Sequence, residues 1–200
     1  MIHLRYSGRP FEEQCQVLDD IVRAEPVLMT ILERARALDL PDWFLVSGAI
    51  YNVVWNWLTG RPALLGVKDA DLFYCDASDL SYEAEDAVIQ RAALMFSDLP
   101  VPVEIRNQAR VHLWYEGHFG TATTPIGSSR EGIDRFACFT HSVGVRLQED
   151  GRLEVYAPYG LDDLFSFRLV PNRARDNRRT HETKASRQVL IWPELTVEPW

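Results

Sequence analysis

Apolar positions along this chain change period several times, and each change marks a predicted element. Over Phe11 to Ala24 and Pro26 to Leu38 they recur every three or four residues. That spacing predicts two amphipathic helices, with Pro26 tolerated in the first turn of the second. The pattern then tightens into short apolar runs at residues 43–47, 71–75 and 103–106, each predicted as a core strand. A long apolar helix from about Ile50 to Leu58 separates the first two. Ser81 is placed to cap a helix reaching about Phe96, and Glu83, Glu85 and Asp86 in its early turns suit the helix dipole. Asn107 to Tyr115 reads as a short helix, and Ser129 as the cap of another that reaches Phe136. Ser142 to Leu147 and Leu153 to Tyr156 alternate about Glu149-Asp150-Gly151, a hairpin signal. Leu161 to Ser166 is a last short helix, with Asp162 and Asp163 in its first turn.

The succession predicts one α+β domain, a mixed sheet of about five strands with helices mainly on one face. Residues 1–40 form an N-terminal helical pair in this reading, 41–167 the core and 168–200 a basic C-terminal extension. A chain of 200 residues with 46% hydrophobic content can build one sizeable core, which excludes a disordered class. Every long apolar run is interrupted within a few residues, so no membrane span is expected, and Met1 to Ser7 carries no signal-peptide core. Cys15, Cys75 and Cys138 are odd in number, widely spaced and free of any Cys-x-x-Cys pattern. A reducing cytoplasm fits them better than a disulfide framework or a zinc site.

Two carboxylates one residue apart, Asp69 and Asp71, lead into the second strand run. Side chains alternate along a strand, so both point the same way with their oxygens close together. Like charges held that close repel unless a cation lies between them. Mg²⁺ suits the place, since it binds through one or two carboxylates plus substrate phosphates; a solvated strand start is the plainer reading. Upstream, the strand Trp43 to Val46 runs into Ser47-Gly48-Ala49 and then the long helix. Such a turn either cradles a phosphate at the positive helix end or needs Gly48 only for its backbone angles. Downstream, Glu104 sits between apolar residues of the third strand. A buried acid is costly unless it is paired or bound to a metal, and Arg106 and Arg110 are both near enough in sequence to pair with it.

Strand, small-residue turn, helix, two-acid strand, helix and one-acid strand resemble the DNA polymerase β-type nucleotidyltransferase superfamily. Leu40-Pro41-Asp42-Trp43, Asn52-Val53-Val54-Trp55-Asn56, Lys68-Asp69-Ala70-Asp71-Leu72 and Arg106-Asn107-Gln108-Ala109-Arg110 narrow the likeness. So do Val143 to Leu147, Ala157 to Phe165 and Trp192 to Leu195. Together they resemble one branch, a family of uncharacterised bacterial proteins described as nucleotidyltransferase-like, over nearly the whole chain.

The resemblance implies a Mg²⁺-dependent (or Mn²⁺-dependent) enzyme that moves an NMP from an NTP to an unidentified acceptor with release of pyrophosphate. The acceptor would be a small molecule, a nucleic-acid end or a protein side chain. Asp69, Asp71 and Glu104 would be the catalytic and metal-binding acids, with Glu104 holding the ion nearest the attacking hydroxyl or accepting its proton. Ser47, Gly48, Lys68 and Arg110 would bind the nucleotide. A non-catalytic nucleotide-binding or protein-interaction module keeping the fold is the alternative. The chain departs from the superfamily pattern in its long interval from Gly48 to Asp69, and in Ala49 where a serine or glycine is usual.

Charge adds one feature. The net charge of −8 argues against non-specific nucleic-acid binding by the whole surface. Between Arg168 and Arg187, however, seven basic residues face only Asp176 and Glu182, a net +5 that leaves −13 on the remainder. This stretch reads either as a mobile, solvated loop or as a basic flap over a triphosphate or an anionic acceptor. Asn107, Gln108, Arg110, His112 and Trp114 form a secondary group, Trp114 suited to stacking on a base or to ordinary packing. Tyr159, Asp162 and Asp163 share that ambiguity.

Overall fold

The computed structural model describes residues 2–120 and 123–200, apart from the side chains of His118 and Phe119. Helices α1 (Phe11–Ala24) and α2 (Pro26–Ala37) form as the apolar spacing predicts. They bury Leu18, Ile21, Leu28, Ile31 and Leu32. Glu25 ends the first helix, its backbone N–H donating to Val22 O, and its side chain caps the second by accepting from the Val27 N–H. Strand β1 (Phe44–Val46) then enters α3 (Gly48–Thr59), followed by β2 (Ala70–Tyr74), α4 (Tyr82–Met95) and β3 (Val103–Asn107). A 3-10 turn at Gln108–Arg110 leads into α5 (Val111–Phe119), then α6 (Ser129–Asp134). The hairpin β4 (Gly144–Leu147) and β5 (Leu153–Tyr156), α7 (Asp162–Phe165), β6 (Arg168–Leu169), α8 (Arg178–Ile191) and β7 (Thr196–Val197) complete the order.

The main sheet runs β3-β2-β1-β4-β5, with β2 and β3 parallel and the other pairs antiparallel. It is the mixed five-stranded sheet of a single α+β domain. One face supplies Leu45, Leu72, Ile105 and Val145 to the large core against α1 to α4. The opposite face carries a smaller cluster in which Phe44, Val46 and Ile133 meet Phe73, Phe136 and Tyr156. Alternation along β2 therefore sends Leu72 and Tyr74 into the helical layer and leaves Asp71 and Phe73 on the opposite face.

Three expectations are corrected here. The cap of α6 is Ser128, whose hydroxyl accepts from the Glu131 N–H, while Ser129 is already the first helical residue. Residues 107–115 are not one helix, because Asn107 ends β3 and its side chain caps the 3-10 turn. The basic stretch is no mobile loop over most of its length: Arg178–Ile191 is a helix of nearly four turns that buries His181, Ala185 and Gln188. That helix is pinned at its end by Trp192, which packs on Trp55 with ring centroids 5.1 Å apart and donates to Asn56 Oδ1 at 3.0 Å.

The long interval before Asp69 is held by an asparagine ladder on α3. Asn56 Nδ2 donates to the carbonyls of Ala63 (2.9 Å) and Leu65 (2.8 Å), and Asn52 Nδ2 to that of Gly66 (3.1 Å). Gly66 has φ of 77°, and a Cβ there would lie 2.6 Å from the Trp192 ring, so both its backbone angle and its space require glycine. The inserted loop is thus clamped between α3 and Trp192, and it delivers Lys68 and Asp69 to the start of β2.

Candidate active site

Five segments meet in one cleft of about 190 Å³ at the end of β1. From the turn come Ser47 and Gly48, from α3 Tyr51 and Asn52, from the clamped loop Gly66, Lys68 and Asp69, from β2 Asp71, and from α8 Lys184 and Arg187. Ser47 has φ 56° and ψ −112°, a left-handed conformation that costs a non-glycine residue about 1–3 kcal/mol. It is held there by its N–H bond to Val143 O at 2.8 Å and by its own carbonyl, which accepts from Ile50 and Tyr51 N–H. The turn thereby aims the start of α3 into the cleft, where the first N–H groups of a helix have no intrahelical acceptor. Gly48 is not needed by the fold itself: a Cβ there would meet only Tyr51 Oη, at 3.8 Å.

Asp71 lies in the cleft with its carboxyl pushed up to about 6, first by burial and then by the charge of Asp69. Lys184 from α8 lowers it only in part. The Lys184 ammonium is itself held below its ordinary value by burial, with Asp71 and Asp69 acting in the opposite sense. Among the described residues Lys184 makes no ion pair within 4 Å; its ammonium stands 6.0 Å from the Phe136 ring centroid. Asn52 adds an unmet acceptor: the residue is 6% exposed, and Oδ1 is buried without a hydrogen-bond partner. Buried polar atoms are rarely left so, and this one borders a cleft of charged groups.

Glu104 shares the face of Asp71, because the parallel register pairs Asp71 with Glu104 directly. It is exposed, and its carboxylate leans toward Arg106, two residues along the same face, at 3.5 Å. Of the alternatives open in the sequence, pairing with Arg106 is therefore the one realised. Like charges separate where a cation is within reach, and Arg106 supplies it. Among the described residues no three His, Cys, Asp or Glu side chains form a group able to hold a metal ion by themselves. Asp69 and Asp71 do fit a hard divalent cation that completes its shell from phosphate and water, as two half-buried carboxylates in one cleft and the orphaned Asn52 oxygen indicate.

Residues 33–197 match the sequence model of a nucleotidyltransferase family. The chain belongs to that family. A protein solved by NMR, described as revealing a CCA-adding enzyme head domain, is similar to it throughout. The two are 26% identical with a TM-score of 0.76, over 92% of this chain and 96% of that one. No curated protein matches the sequence. The family and this likeness make the protein a nucleotidyltransferase by fold and class, an enzyme acting on an NTP and an acceptor.

Within this nucleotidyltransferase, Arg110 is a correction. It does not line the cleft: its guanidinium is 8% exposed, ion-paired with Glu85 of α4, and donates to Leu80 O at 2.9 Å. Asn107 is occupied too, its N–H donating to Glu85 Oε1 at 2.8 Å and its amide to Asp76 O at 2.8 Å. A buried carboxylate on α4 needs this arginine, which faces the helical layer and not the acids. Asp162 accepts from Gly8 N–H and Gln14, Asp163 pairs with Arg168, and Tyr159 donates to Asp134 O, all structural roles. Gln108 and Trp114 instead line a second cavity beside the acids.

The sequence reading did not single out Asn52, and held Lys184 and Arg187 only as members of the basic stretch. Asn52 was visible as a polar residue inside an apolar helix. Lys184 and Arg187 stood in the basic stretch, where His181, Ala185 and Gln188 recur at helical spacing. Among the described residues no helix is long and apolar enough to cross a membrane.

Proposed function

We propose that this nucleotidyltransferase is a Mg²⁺-dependent enzyme that joins the α-phosphate of an NTP to an acceptor hydroxyl or amine and releases pyrophosphate. The observation that carries the reading is the single cleft in which the Ser47-Gly48 turn, the Asp69–Asp71 pair and the Lys184–Arg187 face of α8 converge. The N–H groups at the start of α3 and the cations Lys68, Lys184 and Arg187 grip the triphosphate oxygens. Asp69 and Asp71 hold the ion, with Mn²⁺ able to replace Mg²⁺. When bound by these acids, such an ion would supply charge screening of the phosphates and stabilisation of charge developing in the transition state. Asn52 Oδ1 would accept from a donor of the bound nucleotide. Glu104, beside Asp71 in register, faces the incoming acceptor and receives its proton at the carboxylate, once Arg106 releases it. The three cysteines are free, which suits a cytoplasmic setting.

The test is transfer of label from NTPs labelled on the α-phosphate to acceptors in a cell extract, with Mg²⁺, beside calorimetric NTP binding. Glu104→Gln keeps the side-chain shape but loses its basicity, so transfer is abolished while NTP binding is largely kept. Wild-type transfer rates in the variant would remove Glu104 from the mechanism. The Glu104–Arg106 pairing favours a second reading, a nucleotide-binding module without catalysis. NTP binding with no transfer by the wild type to any acceptor would put that reading first.

A further inference from the structure

A second cavity of about 420 Å³ opens on the acid face of the sheet and shares only Lys184 with the nucleotide cleft. We propose that it is the acceptor subsite, and that it takes a small phosphorylated molecule with a planar or apolar body. This rests on the nucleotidyltransferase reading of the cleft.

Position is the first argument. Phe73 and Arg106 line the cavity, and the parallel register pairs them with each other exactly two residues beyond the pair Asp71 and Glu104. The cavity therefore begins about 7 Å along the strands from the acids, on the same face. Nothing from β1 or α3 borders it, whereas the phosphate-facing turn is built from those two elements. Triphosphate turn, acid pair and cavity thus lie in sequence across the face. In-line displacement at the α-phosphorus places the attacking atom opposite the departing pyrophosphate, which is the cavity side. The step forms a bond from the acceptor oxygen to the α-phosphorus and breaks the bond to the bridging oxygen of pyrophosphate, the acceptor's proton passing to Glu104.

The lining supplies the second argument. Phe73 and Phe136 stack at 5.6 Å and, with Val111, Ile126, Trp114 and Tyr115, give apolar and aromatic walls. Four cations, Arg106, Arg135, Arg175 and Lys184, border them, and no carboxylate does among the described residues. Arg135 is engaged by Glu131, and Arg106 leans on Glu104. Arg175 donates to Thr123 Oγ1 at 2.7 Å and lies 5.5 Å from the Tyr115 ring centroid, with no carboxylate partner within 4 Å among the described residues. Arg175 beside an aromatic wall, with Lys184 at the border of the two cavities, calls for an anion joined to a ring, and the guanidinium fork suits phosphate oxygens. A cavity of this volume holds one small molecule. A charge of −13 outside the basic stretch repels a polyanion, which favours a small acceptor over a nucleic-acid strand.

The experiment measures calorimetric binding of adenosine 5′-monophosphate, adenosine and a short oligoadenylate without divalent metal, beside the melting shift with Mg²⁺ and ATP. The proteins are wild type, Arg175→Met and Thr180→Trp; Thr180 is an exposed α8 residue on the cavity wall, so the larger ring fills the space. The monophosphate is expected to bind wild type about tenfold or more tighter than adenosine, and each variant about tenfold or more weaker, with the Mg²⁺–ATP shift unchanged. Equal binding of monophosphate and nucleoside, or no binding of either, overturns the proposal. A Mg²⁺–ATP shift that falls along with monophosphate binding in both variants also overturns it, making the cavity the seat of the NTP's own base. Tighter binding of the oligonucleotide would replace the small acceptor with a nucleic-acid end. If wild type shows no Mg²⁺–ATP shift but variant-sensitive monophosphate binding, the nucleotidyltransferase reading of the cleft fails and the cavity remains an anion-binding site.

Discussion

Adding one methyl group at Gly48 separates what the fold needs from what a nucleotide needs. A Cβ at this position has open space except for Tyr51 Oη at 3.8 Å, an ordinary contact, and Gly48 lies in the first turn of α3. Gly48→Ala therefore leaves the free protein unchanged or raises its stability by up to about 1 kcal/mol, through the lower entropy of the unfolded chain. For a domain of this size that is a rise in Tm of about 2–4 °C. The same methyl intrudes where phosphate oxygens must approach the first N–H groups of the helix. Loss of one charge-assisted hydrogen bond is worth about 2 kcal/mol, or about thirtyfold in affinity. At a nucleotide concentration of 100 times the wild-type Kd, ligand stabilises the wild type by about 2.7 kcal/mol and the variant by about 0.9 kcal/mol. Thermal denaturation of both proteins with and without Mg²⁺ and ATP reads both effects in one assay. An alanine variant that melts normally and keeps the full ATP shift would refute phosphate binding at this turn, and one that melts far lower would refute the open space.

Three further outcomes follow from the site and its surroundings. Asp69→Asn/Asp71→Asn should lose stabilisation by Mg²⁺ or Mn²⁺ while being at least as stable as wild type without metal, since two repelling charges are gone; equal metal shifts in both proteins would remove the acids as ligands. Arg110→Met strands the buried Glu85 carboxylate and should cost about 3–5 kcal/mol, with the Mg²⁺–ATP shift of the folded protein intact; normal stability with a lost ATP shift would restore Arg110 to the nucleotide. His141, stacked on Tyr51 and bonded to Gln188, resists protonation through burial first and then Lys184, so its folded pKa lies well below 6.5. The unfolded chain takes up the proton first, so this contribution is complete above about pH 6.5 and falls by up to about 1.4 kcal/mol per pH unit below it. Asp71, raised to about 6, acts in the opposite direction between about pH 6 and 4, so the measure is the difference between wild type and His141→Gln. Parallel stability–pH curves for the two proteins would exclude His141 as a source of acid sensitivity.

What could be read from the residues alone was whatever depends on neighbours in sequence. The first four helices and five strands were marked by periodicity, because each must bury a face against the same core. Asp69 and Asp71 were visible for the same reason, two residues apart on one strand. Arg110 misled because its partner, Glu85, is 25 residues away on another helix, and no local pattern announces a tertiary ion pair. Helix α8 was hidden by its polarity: it buries only His181, Ala185 and Gln188 and relies on Trp192 for its hold. The facing of Asp71 and Glu104 depends on parallel pairing across a crossover helix, which alternation in each strand allows but does not dictate.

The anchoring of α8 sets the order in which this cleft comes into being. The acids and the Ser47-Gly48 turn belong to residues 47–71, whereas Lys184 and Arg187 arrive more than a hundred residues later and are pinned only when Trp192 reaches Asn56. A chain emerging from the ribosome N-terminus first, at about 5–20 residues per second, can fold its sheet while the acid pair still lacks both cations. Nascent and truncated chains that end before α8 would therefore carry a half-built cleft with surplus negative charge, a poor host for a triphosphate. A complete cleft must wait for α8, when the same tryptophan closes over the inserted loop and locks the basic helix in place.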